Sequence, residues 1–385
     1  MLRTLAVEGY RSLRRLVVPL DGVTVITGPN GSGKSSLYRA LRLLAASGRD
    51  GAVSALAREG GLPSTLWAGP EAGAKKGQQA QGTVRRGPVA LRLGFAGDGF
   101  GYAVDFGLPA PARSMFGRDP EIKVEAVWSG PILRPGTLLS ERRGGRVRLR
   151  GSSASSADWT IFERQLPSWA SMLSEVGDPA LAPELLALRE ELRTWRFYDP
   201  VRTDASAPAR GSVVGTRTPV LAADGSDLAA ALQTIVEQGG GTALHAAIDR
   251  ALPGSRIEVE DRGGLFALVL HQPGLLRPLE TAELSDGTLR YLLWVAALLS
   301  ERPAALLVLN EPETSLHPTL LEPLGRLIAD AAGRSQLVVV SHSEALVDAL
   351  SKSGALVHRL DKEGGETKLL GQGMLDEPAW HWPSR

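Results

Sequence analysis

The chain has 385 residues, balances 43 Lys and Arg against 42 Asp and Glu, and contains no cysteine. A net charge of +1 gives no global field toward nucleic acid or an acidic membrane, so any such contact must come from a local patch. The missing cysteine excludes disulfides, thiolate metal sites and cysteine nucleophiles, and fits a reducing cytoplasm.

The opening segment does not read as a signal peptide, because Glu8 and Arg11 interrupt any apolar core. No uninterrupted apolar run approaches the roughly 20 residues of a membrane span, so the expectation is a cytoplasmic protein with no membrane part. Three strands are predicted at Thr4–Val7, Leu16–Pro19 and Val23–Thr27, the last β-branched and buried. Gly28-Pro-Asn-Gly-Ser-Gly-Lys-Ser35 follows and fits GxxxxGK[ST] at every fixed position. A strong helix former then runs from Ser36 to about Ala46.

Strand, glycine loop and helix are the context that this motif needs. The glycines let backbone N–H groups curl around a phosphate chain, and the helix N-terminus adds partial positive charge. Asn30, Gly31, Ser32, Gly33, Lys34, Ser35 and Ser36 are therefore the candidate nucleotide-binding residues. Lys34 is expected on the β- and γ-phosphates, and the Ser35 hydroxyl on Mg²⁺.

Residues 50–87, rich in Gly, Ala, Gln and Lys, read as a mobile loop with at most one short helix, Val53–Arg58. Pro88–Phe95 and Tyr102–Phe106 alternate as a hairpin, and Ile122–Trp128 and Arg146–Arg150 are further strands. Arg142, Arg143, Arg146, Arg148 and Arg150 cluster there. Arg146, Arg148 and Arg150 would share one strand face that could grip phosphates or simply stay solvated. Residues 151–158 read as a boundary, and the pattern from Thr160 to about Arg196 as helical, with Trp169 and Trp195 in the core. Asp227–Glu237 and Leu244–Leu252 are predicted helices, and Ile257–Glu260 and Leu265–Leu270 strands.

The last third carries polar groups at the ends of apolar runs. Ser285 and Gly287 open an apolar helix, Tyr291–Leu299, and make a second anion-binding end. Ala304–Leu309 is a buried strand ending in Asn310-Glu311-Pro312-Glu313. In an open parallel sheet that end faces the ligand crevice. Glu311 there is a candidate general base for water attack, and Asn310 can accept a hydrogen bond from a metal-bound water. A further strand, Gln336–Val340, ends in Ser341-His342-Ser343, where His342 could touch a terminal phosphate.

As an ordered set these residues resemble the ABC-type ATPase superfamily, and within it the soluble branch near RecF, the SMC proteins and the OLD-type ATPases. Gly28–Ser35 is similar to the Walker A motif, and Leu284-Ser-Asp-Gly287 to a diverged signature motif. Leu306–Glu311 is similar to Walker B, Thr314–Pro318 to the D-loop, and His342 to the switch histidine. Val7–Leu13 resembles the branch's opening strand. The likeness covers roughly residues 1–46 and 280–350. Phe197-Tyr-Asp-Pro200 and Asp224-Gly-Ser-Asp-Leu228 resemble segments of bacterial AAA-family ATPases only weakly.

The resemblance implies an α/β P-loop NTPase: one ABC-type head with a mixed sheet, built from 1–110 and 265–385, with 150–255 as an inserted, mainly helical lobe. It implies ATP and Mg²⁺ as cofactors, with Ser35 and Asn310 at the metal and Glu311 and His342 as catalytic residues. It further implies an ATP-gated homodimer in which Ser285 and Gly287 of one copy face the phosphate loop of the other. Asn310 stands where the superfamily usually has Asp, which implies slower turnover. Gln78, Gln79 and Gln81 are the candidates for the Q-loop glutamine, and the stretch after Leu350 is too short for a nuclease domain. The candidate roles are DNA maintenance or defence against foreign DNA, a switch for a separate effector such as a nuclease, or, least, a transporter motor.

Overall fold

The computed structural model describes residues 1–49, 51–69, 89–109, 115–151, 159–373 and 376–385. Gln78, Gln79, Gln81 and the boundary at 152–158 lie outside the described residues. Two units emerge: Met1–Asp21, Gly28–Trp195 and His358–Arg385 form one, and Gly22–Thr27 with Arg196–Val357 the other. Among the described residues no helix is long and apolar enough to cross a membrane.

The second unit is built on four parallel strands in the order Arg196–Tyr198, Leu306–Asn310, Gln336–Val340 and Val23–Thr27. Their runs of Val, Leu and Ile are those of strands covered on both faces. The covering helices include Leu228–Ile235, Gly241–Ala251, Asp286–Leu298, Leu321–Ala331 and Glu344–Lys352. Leu292, Val295, Leu309, Leu324, Ile328, Val339 and Leu346 meet in one core. A small antiparallel sheet adds Val213–Val214, Leu265–His271, Arg256–Asp261 and Leu279–Glu280. The predicted helices at 227–237 and 244–252 take shape here as Leu228–Ile235 and Gly241–Ala251. They are joined through a π-turn, Val236–Gly240, in which Gly239 has φ 87°.

The first unit contains an eight-stranded antiparallel sheet. Its order is Leu13–Pro19, Leu2–Tyr10, Leu91–Gly97, Phe100–Gly107, Glu121–Ser129, Leu138–Arg143, Arg146–Arg150 and Trp159–Ile161. The helix Lys34–Ser47 belongs to this unit, followed by the short helices Ala52–Arg58 and Gly61–Thr65. Near the end of the chain Leu356–Glu363 pairs antiparallel with Glu366–Leu369.

Two expectations for this unit fail for physical reasons. The stretch 160–196 is not one helical pattern: only Met172–Glu175 and Pro183–Thr194 are helical. Pro167, Pro179 and Pro183 break the periodicity, and the backbone between them is held from outside. Ser168 O accepts from Ile122 N at 2.7 Å, and Pro167 O accepts from Arg142 Nη2 at 2.7 Å. Trp195 is fully buried against Phe95, but Trp169 is 63% exposed and is no part of the core.

The arginine cluster also divides. Arg146, Arg148 and Arg150 do share the open face of their strand, alternating with buried Val147 and Leu149. Arg148 ion-pairs with Glu141, as does Arg143, and it stacks over Trp159 at 4.7 Å. Arg142, from the strand Leu138–Arg143, points the other way and is completely buried. It donates to Glu125 Oε2 at 3.2 Å and to the carbonyls of Gly144, Pro167 and Ala170. Glu125, also fully buried, further accepts from Tyr102 OH at 2.7 Å, Ser171 Oγ at 2.5 Å and Met172 N at 2.8 Å. Burial, together with this carboxylate, pushes the Tyr102 hydroxyl well above its ordinary pKa.

Truncating one partner of such a pair strands the other charge without solvent. Arg142→Ala is therefore expected to lower unfolding stability by about 3–5 kcal/mol, and Arg142→Lys should recover little, since a lysine cannot match the planar fork. Urea titration of the two variants checks this.

Candidate functional site

The phosphate loop follows Thr27 directly in the chain. Gly28 has φ 147° and Gly33 φ 110°, which only glycine adopts without strain. Space imposes the same demand. A Cβ on Gly28 would lie 2.2 Å from Leu360 O, and one on Gly33 2.2 Å from Thr367 Oγ1. Gly33 caps the helix Lys34–Ser47, and no side chain satisfies its first N–H groups, nor is there an acidic residue in its first turn. A helix start of this kind favours an anion.

Asn30, Gly31 and Ser35 are exposed, Gly33 and Ser36 half-buried, and Ser32 and Lys34 buried. Ser32 Oγ is buried with no hydrogen-bond partner among the described residues. A buried hydroxyl calls for a partner, and a phosphate oxygen would supply one here. Lys34 Nζ donates to Gly28 O at 2.6 Å and Pro29 O at 3.1 Å. Thr367, fully buried, donates to Ser32 O at 2.8 Å and shares a 2.8 Å hydrogen bond with Ser12 Oγ. It thus locks the loop from the other end of the chain. Nothing in the sequence near the motif signals this residue.

In the second unit the strands Leu306–Asn310 and Gln336–Val340 run in register, Asn310 opposite Val340. They end together and deliver Asn310, Glu311 and His342 to one edge. Glu311 N donates to Val340 O at 2.7 Å, and its φ is 47°, a left-handed turn by a residue with a Cβ. His342 Nδ1 lies 3.9 Å from Glu311 Oε1 and 3.3 Å from Glu313 Oε1.

Glu313 organises this edge and was not singled out by its sequence. Its buried Oε1 accepts from Ser341 Oγ at 2.7 Å, His342 N at 2.9 Å and Ser343 N at 3.2 Å. The available signal was a second glutamate two residues past Glu311.

Ser285 caps the helix Asp286–Leu298: its Oγ accepts from Thr288 N at 3.1 Å. A Cβ on Gly287 would sit 3.2 Å from Ser315 O, so this helix start abuts the segment 314–318, where Ser315 itself has φ 61°. Trp294 Nε1, further along the helix, donates to Pro312 O at 2.9 Å. Arg210 pins the approach. It donates to the carbonyls of Thr281 at 2.8 Å and Leu284 at 2.8 Å, and to Asp286 Oδ1 at 2.7 Å. Arg290, on the same helix, is buried with Nε and Nη1 unpartnered, and desolvation lowers its pKa.

Within each unit, then, the sequence-predicted residues gather as groups. Asn30 to Ser36 lie in one loop and helix start, Asn310, Glu311 and His342 at one strand edge, and Ser285 and Gly287 at one helix start. A hard cation such as Mg²⁺ favours oxygen donors, and the Ser35 hydroxyl in the first unit and the Asn310 amide oxygen in the second are each of that type.

The family model that matches spans residues 23–348 and is described as "AAA domain, putative AbiEii toxin, Type IV TA system". No curated protein matches the chain. Among solved structures the chain is similar to an SMC head bound to the C-winged helix domain of ScpA, with TM-score 0.50 and 14% identity over 97% of this chain and 98% of that one. It is also similar to the SMC head domain from Thermotoga maritima, with TM-score 0.46 and 14% identity over 97% and 99% of the two chains. For the Pyrococcus furiosus Smc head with an extended coiled coil, bound to the C-terminal domain of ScpA, the TM-score is 0.45 and the identity 12%, over 96% and 95%. The first likeness bears on fold, that of a P-loop NTPase head. With the family model covering most of its length, the chain belongs to this AAA domain family and is an ATP-binding P-loop ATPase.

Proposed function

We propose that the protein hydrolyses ATP with Mg²⁺ as an ATP-gated homodimer in defence against foreign DNA or DNA maintenance. The observation that carries the nucleotide reading is the phosphate loop, with its uncapped amides and orphaned Ser32 hydroxyl. Mg²⁺, when bound, neutralises charge on the β- and γ-phosphates. Lys34 adds a point charge to the same phosphates, and Ser35 and Asn310 serve the metal. Glu311 accepts the proton of the attacking water, and His342, beside it at 3.9 Å, senses the terminal phosphate. Glu313 holds the turn that carries His342. The left-handed backbone at Glu311 supports a functional role, since such strain clusters where chemistry is done.

Ser285 and Gly287 are assigned to the γ-phosphate held by a second copy. Their helix start carries the partial positive charge that favours an anion, Ser285 Oγ already taking the Thr288 N–H, and Arg210 braces the preceding turn. ATP would then favour the closed pair, and hydrolysis would reopen it. The family description, which names a toxin of a type IV TA system, is in keeping with a defence role. Within the arginine cluster, contact with DNA would fall to Arg146 and Arg150, since Arg142 is buried and Glu141 pairs with Arg143 and Arg148. That thin patch favours a second reading, in which the ATP switch acts on a separate effector protein.

Lys34→Ala should abolish ATP binding in isothermal titration; undiminished affinity would remove the loop from the site. Glu311→Gln should keep ATP affinity, slow hydrolysis by about 10²-fold and accumulate an ATP-bound dimer on size exclusion. Wild-type turnover in that variant would place the base elsewhere. Ser285→Arg should bind ATP as a monomer yet neither dimerise nor turn over. Mixed with Lys34→Ala chains it should regain part of the activity, because each mixed dimer holds one intact composite site. Proven mixed dimers without any activity would count against the shared site.

A further inference from the structure

The segment Phe197-Tyr-Asp-Pro200 has had no role so far. Its strand, Arg196–Tyr198, lies parallel to Leu306–Asn310, with Phe197 opposite Val308 and Tyr198 opposite Leu309. One step further, Asp199 comes beside Asn310, and Asn310 Nδ2 donates to Asp199 Oδ1 at 3.1 Å. An ionised carboxylate can only accept. The amide must therefore give its NH₂ to Asp199 and keep Oδ1 as a free-standing acceptor type. The platform under Asp199 is firm. Tyr198 is buried, its hydroxyl donates to Leu221 O at 3.1 Å, and its ring meets Trp294 edge-on at 6.3 Å. Pro200 then ends the strand.

An aspartate at 310 would bring one negative charge and two acceptor oxygens. The pair Asn310 and Asp199 brings the same net charge, divided over two strands. We propose that Asp199 supplies from the neighbouring strand the acidic function that position 310 lacks. It orients the Asn310 amide so that Oδ1 accepts from a water on Mg²⁺, and it places a carboxylate beside that water. Asp199 is thus a positioning residue that acts through Asn310. The inference rests on the Mg²⁺-ATPase reading above, and it offsets the slow turnover that Asn310 alone implies.

The test uses the full chain, the non-hydrolysable analogue AMP-PNP, and Mn²⁺ read by electron paramagnetic resonance. AMP-PNP affinity in EDTA serves as the metal-free control. Asp199→Ala and Asp199→Asn should weaken Mn²⁺ binding to the nucleotide complex by about 10- to 100-fold, as outer partners of metal ligands do, with the EDTA affinity unchanged. Asn310→Asp alone puts two carboxylates within hydrogen-bonding reach, and should gain little. The exchanged pair, Asn310→Asp with Asp199→Asn, should restore Mn²⁺ affinity toward the wild-type value.

Unchanged Mn²⁺ affinity in both Asp199 variants overturns the proposal. So does an exchanged pair that binds Mn²⁺ no better than Asp199→Asn. If Asp199→Ala fails to fold by circular dichroism, the isosteric Asp199→Asn and the exchanged pair still decide the matter. A wild-type chain that binds no AMP-PNP, with or without metal, instead overturns the ATPase reading, and this inference falls with it.

Discussion

The register between Leu306–Asn310 and its two parallel neighbours is the constraint on which the edge of Asn310, Glu311 and His342 depends. Leu309 faces Tyr198 on one side and Val339 on the other, so three strands reach their carboxyl ends at the same level. A slip of one residue would turn every side chain of the strand over and separate Asn310 from Asp199. The apolar core holds that register: Leu307, Leu309, Leu337 and Val339 are buried with the helix residues Leu292, Leu324 and Ile328. Polar chemistry at the edge is thus positioned by packing several residues away. Glu313 then converts the strand ends into a fixed turn, because one oxygen of its carboxylate gathers Ser341, His342 and Ser343.

The phosphate loop follows a different logic. Its conformation is set by what cannot fit, with Leu360 O crowding Gly28 and Thr367 crowding Gly33. It is also set by what is left open, since no side chain caps the helix that follows. Thr367 adds a hydrogen bond to Ser32 O from a strand more than three hundred residues away in sequence. Packing and hydrogen bonds within the chain thus hold the loop's shape, and a loop so held spares a ligand part of the ordering cost.

Much of this was legible in the chain itself. The GxxxxGKS pattern, the β-branched strand before it and the apolar run ending in Asn310-Glu311 each carry a local signal, and local signals survive without coordinates. What escaped reading is non-local. Thr367, Asp199 and Arg210 act through contacts that no spacing rule reaches. Arg142 was grouped with its arginine neighbours, because sequence counts charges but does not show which face of a strand each occupies. The stretch 160–196 looked helical because Leu and Trp recur at helical spacing, whereas prolines and a buried guanidinium decided its backbone. Trp169 shows the same limit: an aromatic residue in an apolar pattern ended at the surface.

Glu311 turns through φ 47°, a conformation that costs a residue with a side chain on the order of 1 kcal/mol or more and costs glycine almost nothing. If Glu311 is the base proposed above, the position sets durability against activity. Selection of this chain for heat resistance alone would reward glycine or asparagine at 311 and discard the carboxylate. Under the proposed role of Glu311, a thermostabilised variant obtained in that way would bind nucleotide without turning it over, a latch in place of a clock.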